Sequence, residues 1–245
     1  MNAFQHPTTL SSPRPRALVV AAHSDDEALG CGGTMARLAA KGWEVGVVFM
    51  TNGVSARLGA SGEQACVRAD ASLKALTVLG AQLLRNFDFP DNEMDSVPLL
   101  RTVRAVEEVA RAFDPQLVFT HHANDLNVDH RHVHQAVITA FRPLPSSRVE
   151  AILCFEVPSS TGWNSAVLPS FNPTLSIDIS DTFQAKLEAL RWYEVEMRNA
   201  PHPRSSRMVE SLAEYRGSLA GLDLAEVFEV QRIVAAKSPS AFWRI

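Results

Sequence analysis

The segment Ala17-Leu18-Val19-Val20-Ala21-Ala22 runs without a break into His23-Ser24-Asp25-Asp26-Glu27. A continuous apolar run of this kind suits a strand buried on both faces of a sheet, and the polar block then falls at the strand's carboxyl end. Helix and strand patterns alternate from there. Leu29 to Lys41 reads as a helix ended by Gly42, and Glu44 to Met50 as a strand entering the turn Thr51-Asn52-Gly53. Val54 to Glu63 reads as a loop, Cys66 to Leu79 as a helix stopped by Gly80, and Gln82 to Phe87 as a short strand. Val97 to Phe113 follows as a helix, and Leu117 to Thr120 as a strand ending in His121-His122. Alternation through about residue 155 predicts the α/β class: a parallel sheet flanked by helices, in a single domain.

The remainder is less regular. Ala151 to Val157 and Leu175 to Ile179 read as strands, separated by a loop that carries Trp163. Thr182 to Asn199, capped by Asp181, and Ser206 to Leu219 read as helices. With 46% hydrophobic residues, the 245-residue chain can bury one large core, and no apolar run approaches the ~20 residues of a membrane span. Residues 1–15 are polar, contain Pro7, Pro13 and Pro15, and lack the apolar centre of a secretory signal; they read as a disordered lead-in to a domain over 16–245. A net charge of -4 offers no basic surface for nucleic acid or an anionic membrane. Cys31, Cys66 and Cys154 form neither a disulfide framework nor a Cys-x-x-Cys pair, and read as small buried residues in a reducing cytoplasm. Apolar residues in the late segments leave room for a homo-oligomer interface.

In open parallel sheets ligands bind beyond the carboxyl ends of the strands. Two polar clusters fall there, His23 to Glu27 and His121 to His134. An acid pair at a helix start reads as capping. Three successive carboxylates repel one another unless a cation shares them. Catalytic zinc takes three His or carboxylate ligands and leaves a place for water. His23, one acid of the first cluster and His130 make such a set. Asp25 and Asp26 point differently on a tight turn, so one can bind metal while the other takes a proton from an activated water. If a helix starts near Asp129, His134 lies one turn after His130, open to a supporting or a packing role, while His132 reads as solvated. Gly30-Cys31-Gly32-Gly33 has the position of a phosphate-binding loop. Met35, however, stands where the dinucleotide pattern needs its third glycine, and no Lys-Ser or Lys-Thr follows. A nucleotide-binding module and a non-catalytic sugar-binding protein are the alternatives to an enzyme.

His23-Ser24-Asp25-Asp26-Glu27 after an apolar strand resembles the His-Pro-Asp-Asp-Glu motif of the PIG-L/LmbE-type N-deacetylases. Asp129-His130 resembles the end of that family's second motif, and Thr51-Asn52-Gly53, Arg68 and Phe89-Pro90-Asp91-Asn92 match further. The resemblance runs from about Leu18 to about Phe228. It implies a Rossmann-like fold and one zinc ion per chain, or another divalent metal in its place, held by His23, Asp26 and His130. It further implies Asp25 as general base and proton carrier to the leaving amine, with Asp129 orienting a neighbouring group. The substrate implied is an N-acetylated amino sugar, free, nucleotide-linked or lipid-linked, as in surface-carbohydrate synthesis.

Two positions depart from the family pattern. Ser24 replaces the common proline and removes no ligand. Asn127 stands where many members carry a histidine that stabilises the oxyanion; its amide can donate a hydrogen bond but no positive charge. Zinc, His134 and His202 are then further candidates for that role. Pro201-His202-Pro203-Arg204-Ser205 resembles a stretch of bacterial members linked to surface sugars. Arg204 there could grip a phosphate or carboxylate, or the segment could be a rigid connector. Arg68 is open between substrate contact and pairing with Asp70 or Glu63. Together Arg68, Asn92, His202 and Arg204 are the candidate substrate residues. Trp163, Trp192 and Trp243 could stack on a sugar face or serve as core or interface residues.

Overall fold

In the computed structural model, which describes residues 14–53 and 62–234, strand β1 (Arg16–Ala21) lies in the interior of the sheet. It pairs in parallel with β2 (Glu44–Thr51) on one side and β4 (Leu117–His121) on the other. Ala17 to Ala22 are all fully buried, as an apolar residue on each side of the pleat requires. β3 (Gln82–Phe89) extends the sheet beyond β2, and β5 (Ala151–Phe155) extends it beyond β4, both parallel. Two antiparallel strands complete that edge, β7 (Ala225–Ile233) beside β5 and β6 (Leu175–Asp178) beside β7. The seven-stranded order is β3-β2-β1-β4-β5-β7-β6.

Helices cover both faces. Ala17, Val19 and Ala21 face α1 (Asp26–Ala40), α2 (Gly62–Val78), α5 (Phe183–Trp192) and α6 (Ser206–Ser218). Leu18, Val20 and Ala22 face α3 (Leu99–Phe113) and α4 (Val128–Ala140). The chain moves outward from β1 to β3 and then returns to place β4 on the other flank of β1. The direction of winding therefore reverses between β1 and β4, and a crevice opens at their carboxyl ends. β1 delivers His23 to that crevice, and β4 ends there at His121.

The glycine-rich stretch is not an open phosphate loop: Gly30 to Gly33 are buried within α1. A Cβ on Gly30 would overlap the Phe155 ring, so glycine lets α1 press against β5. α1 kinks at Cys31 (φ -145°, ψ 21°). The kink frees the amides of Gly33 and Thr34, which donate to Glu226 Oε1 at 2.9 Å and Oε2 at 2.7 Å. Lys186 Nζ closes the arrangement at 2.6 Å from Glu226 Oε1, so the buried carboxylate is fully paired.

The sheet is mixed rather than wholly parallel, because β7, a strand the sequence pattern does not announce, pairs antiparallel with both β5 and β6. The helix expected over Thr182–Asn199 ends at Trp192. Beyond it the Tyr193 hydroxyl bonds Glu27, and Glu196 bonds Arg68, so tertiary contacts divert the chain. Thr182, not Asp181, occupies the N-cap of α5. Cys31 and Cys154 are buried as expected, but Cys66 is exposed on the outer face of α2. Residues 1–13 of the expected lead-in, most of the Val54–Glu63 loop and Trp243 lie outside the described residues. Among the described residues no helix is long and apolar enough to cross a membrane.

Candidate active site

The first cluster folds on itself. The His23 amide donates to Asp26 Oδ2 at 2.9 Å, and the Asp25 amide to Glu27 Oε2 at 2.9 Å. Both acids thus satisfy amides of the turn that starts α1. The turn leaves Asp25 at φ 137°, a left-handed conformation that side chains with a Cβ rarely adopt and that persists only where the surroundings enforce it. Arg68 supplies that enforcement. Its Nε donates to Ser24 Oγ at 2.9 Å, and its Nη2 to the Ser24 carbonyl at 2.8 Å and to Asp25 Oδ1 at 3.4 Å. Its Nη1 donates to the Gly53 carbonyl at 2.9 Å and to Glu196 at 2.5 Å. All five guanidinium N–H donors therefore have partners within the chain. Neither Asp70 nor Glu63 is among them; Asp70 pairs with Lys74. Gly53 has φ 66°, and a Cβ there would stand 2.7 Å from Arg68 Nε, so the Thr51-Asn52-Gly53 turn needs glycine for the arginine to seat.

Above the turn, three ligand atoms converge. His23 Nδ1 lies 3.2 Å from Asp26 Oδ2, His130 Nε2 lies 3.2 Å from the same oxygen, and the two nitrogens are 3.3 Å apart. Tetrahedral zinc with ligand bonds of about 2.0–2.1 Å needs ligand–ligand edges of about 3.3 Å. The near-equilateral triangle meets that requirement, and Asp26 Oδ1 is buried with no hydrogen-bond partner. The donor set of two imidazoles and one carboxylate suits zinc or a similar divalent ion. The residues present therefore fit a divalent metal.

The opposite nitrogens of both imidazoles are held by carboxylates. His23 Nε2 lies 3.0 Å from Asp129 Oδ2 and 3.2 Å from Asp91 Oδ1. Asp129 is itself fixed by the amides of Asn92 at 2.7 Å and Met94 at 3.0 Å. His130 Nδ1 lies 3.2 Å from Asp125 Oδ1, and Asp125 Oδ2 accepts from Ser160 and Thr161. Carboxylates in these places orient each ring so that its other nitrogen faces the triangle. Burial opposes charge on His130, but Asp26 and Asp125 prevail and hold its pKa up at about 9. The same contest holds His23 well above the ordinary histidine range, chiefly through Asp129 and Asp26. His121 stacks on His130 with ring centroids 3.9 Å apart, and its Nε2 accepts the Ala22 amide at 2.8 Å.

The other expected site residues take varied places. Asp25 is buried beside the triangle. Burial raises its pKa, against the pull of Arg204, whose Nη1 donates to Asp25 Oδ2 at 2.9 Å. Arg204 Nε also donates to Ser159 Oγ at 3.2 Å. Asn127 caps α4: its Oδ1 accepts the Asp129 amide at 2.8 Å, and its Nδ2 donates to Asn92 Oδ1 at 3.0 Å. His202 Nδ1 accepts the Arg204 amide at 3.1 Å, and the His202 ring meets Trp163 edge-on at 5.4 Å. His134 Nδ1 bonds the His121 carbonyl at 2.9 Å, and His132 Nε2 lies 3.0 Å from Thr102 Oγ1. Glu27 accepts from Tyr193 as well as from Asp25, and burial pushes its carboxyl up to about 7.

Three residues of the centre are not singled out by sequence pattern: Asp91, His121 and Asp125. Asp91 lies inside the Phe89-Pro90-Asp91-Asn92 match, and His121 ends the strand beside the winding reversal, so both carry a positional signal. Asp125 has none beyond its place in a polar run.

Residues 18–141 match the profile of the family described as PIG-L: GlcNAc-PI de-N-acetylase. The chain belongs to the PIG-L family. Its relatives include an Escherichia coli K12 protein described as uncharacterized deacetylase YaiS, 32% identical over 187 residues, covering 74% of this chain and 91% of that one. Diacetylchitobiose deacetylase of Thermococcus kodakarensis is 28% identical over 229 residues, covering 86% of this chain and 81% of that one. Among solved structures, the conserved protein TT1542 of Thermus thermophilus superposes with a TM-score of 0.72 at 26% identity, covering 90% and 96% of the two chains. These PIG-L relationships place the chain among deacetylating enzymes, and its triangle of ligand atoms lies at the winding reversal of the sheet.

Proposed function

We propose that this chain is a zinc-dependent hydrolase that removes the N-acetyl group from an amino sugar or sugar conjugate, in surface-carbohydrate or glycoconjugate synthesis. The observation that carries the reading is the triangle of His23 Nδ1, Asp26 Oδ2 and His130 Nε2, with edges of 3.2, 3.2 and 3.3 Å. The sugar as substrate is supported by the Thermococcus relative, whose description names diacetylchitobiose. The activity is assigned to one domain over residues 16–245.

When bound, the metal supplies a Lewis acid that polarises the amide carbonyl and lowers the pKa of water towards ~7. Asp25 takes a proton from the water as its oxygen bonds to the acetyl carbon, and returns that proton to the nitrogen as the C–N bond breaks. Acetate and the free amine leave. Arg68 and Arg204 aim the Asp25 carboxylate from two sides. Asp129 and Asp91 hold His23, and Asp125 holds His130, so that the ligand nitrogens stay turned to the centre. Asn127 keeps one amide N–H for the developing oxyanion. Asn92, His202 and Arg204 are assigned to substrate contact, whereas Arg68, its donors fully engaged, acts by positioning.

The test is amine release from N-acetylglucosamine and N,N'-diacetylchitobiose by zinc-loaded protein, before and after chelation. Release that stops on chelation and returns with zinc is expected. Stoichiometric zinc with no release from any N-acetyl sugar would leave a non-catalytic sugar-binding protein as the better reading.

A further inference from the structure

Trp163 is 54% exposed, in a chain whose other large aromatic side chains mostly line the core. It sits on the segment that follows β5, and its amide donates to the Ser159 carbonyl at 2.9 Å. That short segment is tied to the centre at three points. Ser160 and Thr161 hydroxyls donate to Asp125, which orients His130. Ser159, at φ 86°, accepts from Arg204, which also grips Asp25. The backbone that carries Trp163 is therefore linked to Asp25 through Ser159 and Arg204.

A second segment fixes the indole from the side. His202 meets it edge-on, with ring planes at 85° and centroids 5.4 Å apart, and His202 Nδ1 is held by the Arg204 amide. An edge-on neighbour leaves an indole face open. Two loops distant in sequence thus meet at one aromatic contact, and both are tied to Arg204, which bonds Asp25.

We propose that Trp163, braced by His202, is the platform for a second sugar ring, the one attached to the N-acetyl sugar whose amide is cut. The proposal rests on the reading of the chain as an amino-sugar deacetylase. A pyranose offers an apolar face of C–H groups that packs on the flat apolar face of an indole. A nucleotide-linked sugar fits less well. It would bring two phosphates between the ring and the base, and the charge of Arg204, the cation in this chain of contacts, is already paired with the Asp25 carboxylate.

The test compares kcat and KM for N-acetylglucosamine, N,N'-diacetylchitobiose and a uridine-diphosphate-linked N-acetylglucosamine, in wild type, Trp163→Ala and Trp163→Phe. The expected result is a fall of about tenfold in the disaccharide-to-monosaccharide ratio of kcat/KM for Trp163→Ala, carried by KM, with Trp163→Phe close to wild type. A ratio unchanged by Trp163→Ala, in protein with normal zinc content and circular dichroism, overturns the proposal. So does a loss confined to the nucleotide-linked sugar, which would assign the platform to a base. Failure of wild type to cut either simple sugar would instead overturn the underlying amino-sugar reading and this proposal with it.

Discussion

His23 Nδ1 and His130 Nε2, 107 residues apart in sequence, face each other at 3.3 Å across the carboxyl ends of β1 and β4. The carboxylates behind the two imidazoles, Asp129 and Asp91 on one side and Asp125 on the other, engage the opposite ring nitrogens and so turn each ring towards Asp26 Oδ2.

Asp25→Asn is expected to retain stoichiometric metal and lose turnover by roughly 10²- to 10⁴-fold, the usual contribution of a positioned proton acceptor. Metal analysis together with steady-state rates checks this. Near-normal turnover would remove Asp25 from the proton path.

Asp125→Asn leaves the triangle's own atoms intact but withdraws the anion that fixes His130 Nδ1. Zinc affinity is expected to fall by roughly 10- to 100-fold, less than in His130→Ala, as measured by competition with a chromophoric chelator. Equal affinity in Asp125→Asn and wild type would mean that His130 is oriented by packing alone.

Metal uptake must displace protons, because the metal-free centre holds His130 at about 9. Above that value the ring is already neutral, and below it a proton competes with the ion. Apparent zinc affinity should therefore rise with pH through neutrality, since both imidazole ligands hold protons above the ordinary histidine range. Calorimetry at pH 7 in buffers of different ionisation enthalpy should register proton release; heats independent of buffer would contradict it.

Gly53→Ala places a Cβ against Arg68 at a backbone φ of 66°. The combined strain and displaced guanidinium should cost about 1–3 kcal/mol of stability and depress kcat, since Arg68 supports the Asp25 turn. Arg68→Lys, unable to reproduce five fixed donors, should depress kcat as well. Chemical denaturation and rates on one sugar decide the matter; an Arg68→Lys enzyme of full kcat would contradict the positioning role.

Lys186→Ala strands the buried Glu226 carboxylate at the kink of α1. A loss of about 3–5 kcal/mol is expected in urea unfolding, as for breaking a buried ion pair from one side. A loss below about 1 kcal/mol would mean that the Gly33 and Thr34 amides suffice for the charge.

The order of elements through β5 is legible in the chain because each parallel strand is a continuous apolar run or is bounded by a clear stop such as Gly42 or Gly80. β7 escapes the same reading: Ala225 to Ile233 interleaves Glu226, Glu229, Gln231 and Arg232 with apolar residues, and its antiparallel place between β5 and β6 follows no βαβ crossover that would announce it. The overlong helix after Thr182 has a comparable cause, since local pattern carries no trace of the Tyr193–Glu27 and Glu196–Arg68 contacts that turn the chain. At the site, His23, Asp25, Asp26 and His130 stand out by crowding at two strand ends. Asp91, His121 and Asp125 do not, because their value lies in which ring nitrogen they face or which ring they stack on, and only the three-dimensional register supplies that.

The central claim, that one divalent metal sits among His23, Asp26 and His130, is tested most directly by zinc-edge anomalous diffraction from crystals loaded with one equivalent of zinc. A single peak about 2.0–2.2 Å from His23 Nδ1, Asp26 Oδ2 and His130 Nε2 is predicted. A peak between His23 Nε2, Asp91 and Asp129 instead, the other buried group of potential ligands, or no ordered peak at all, would contradict it.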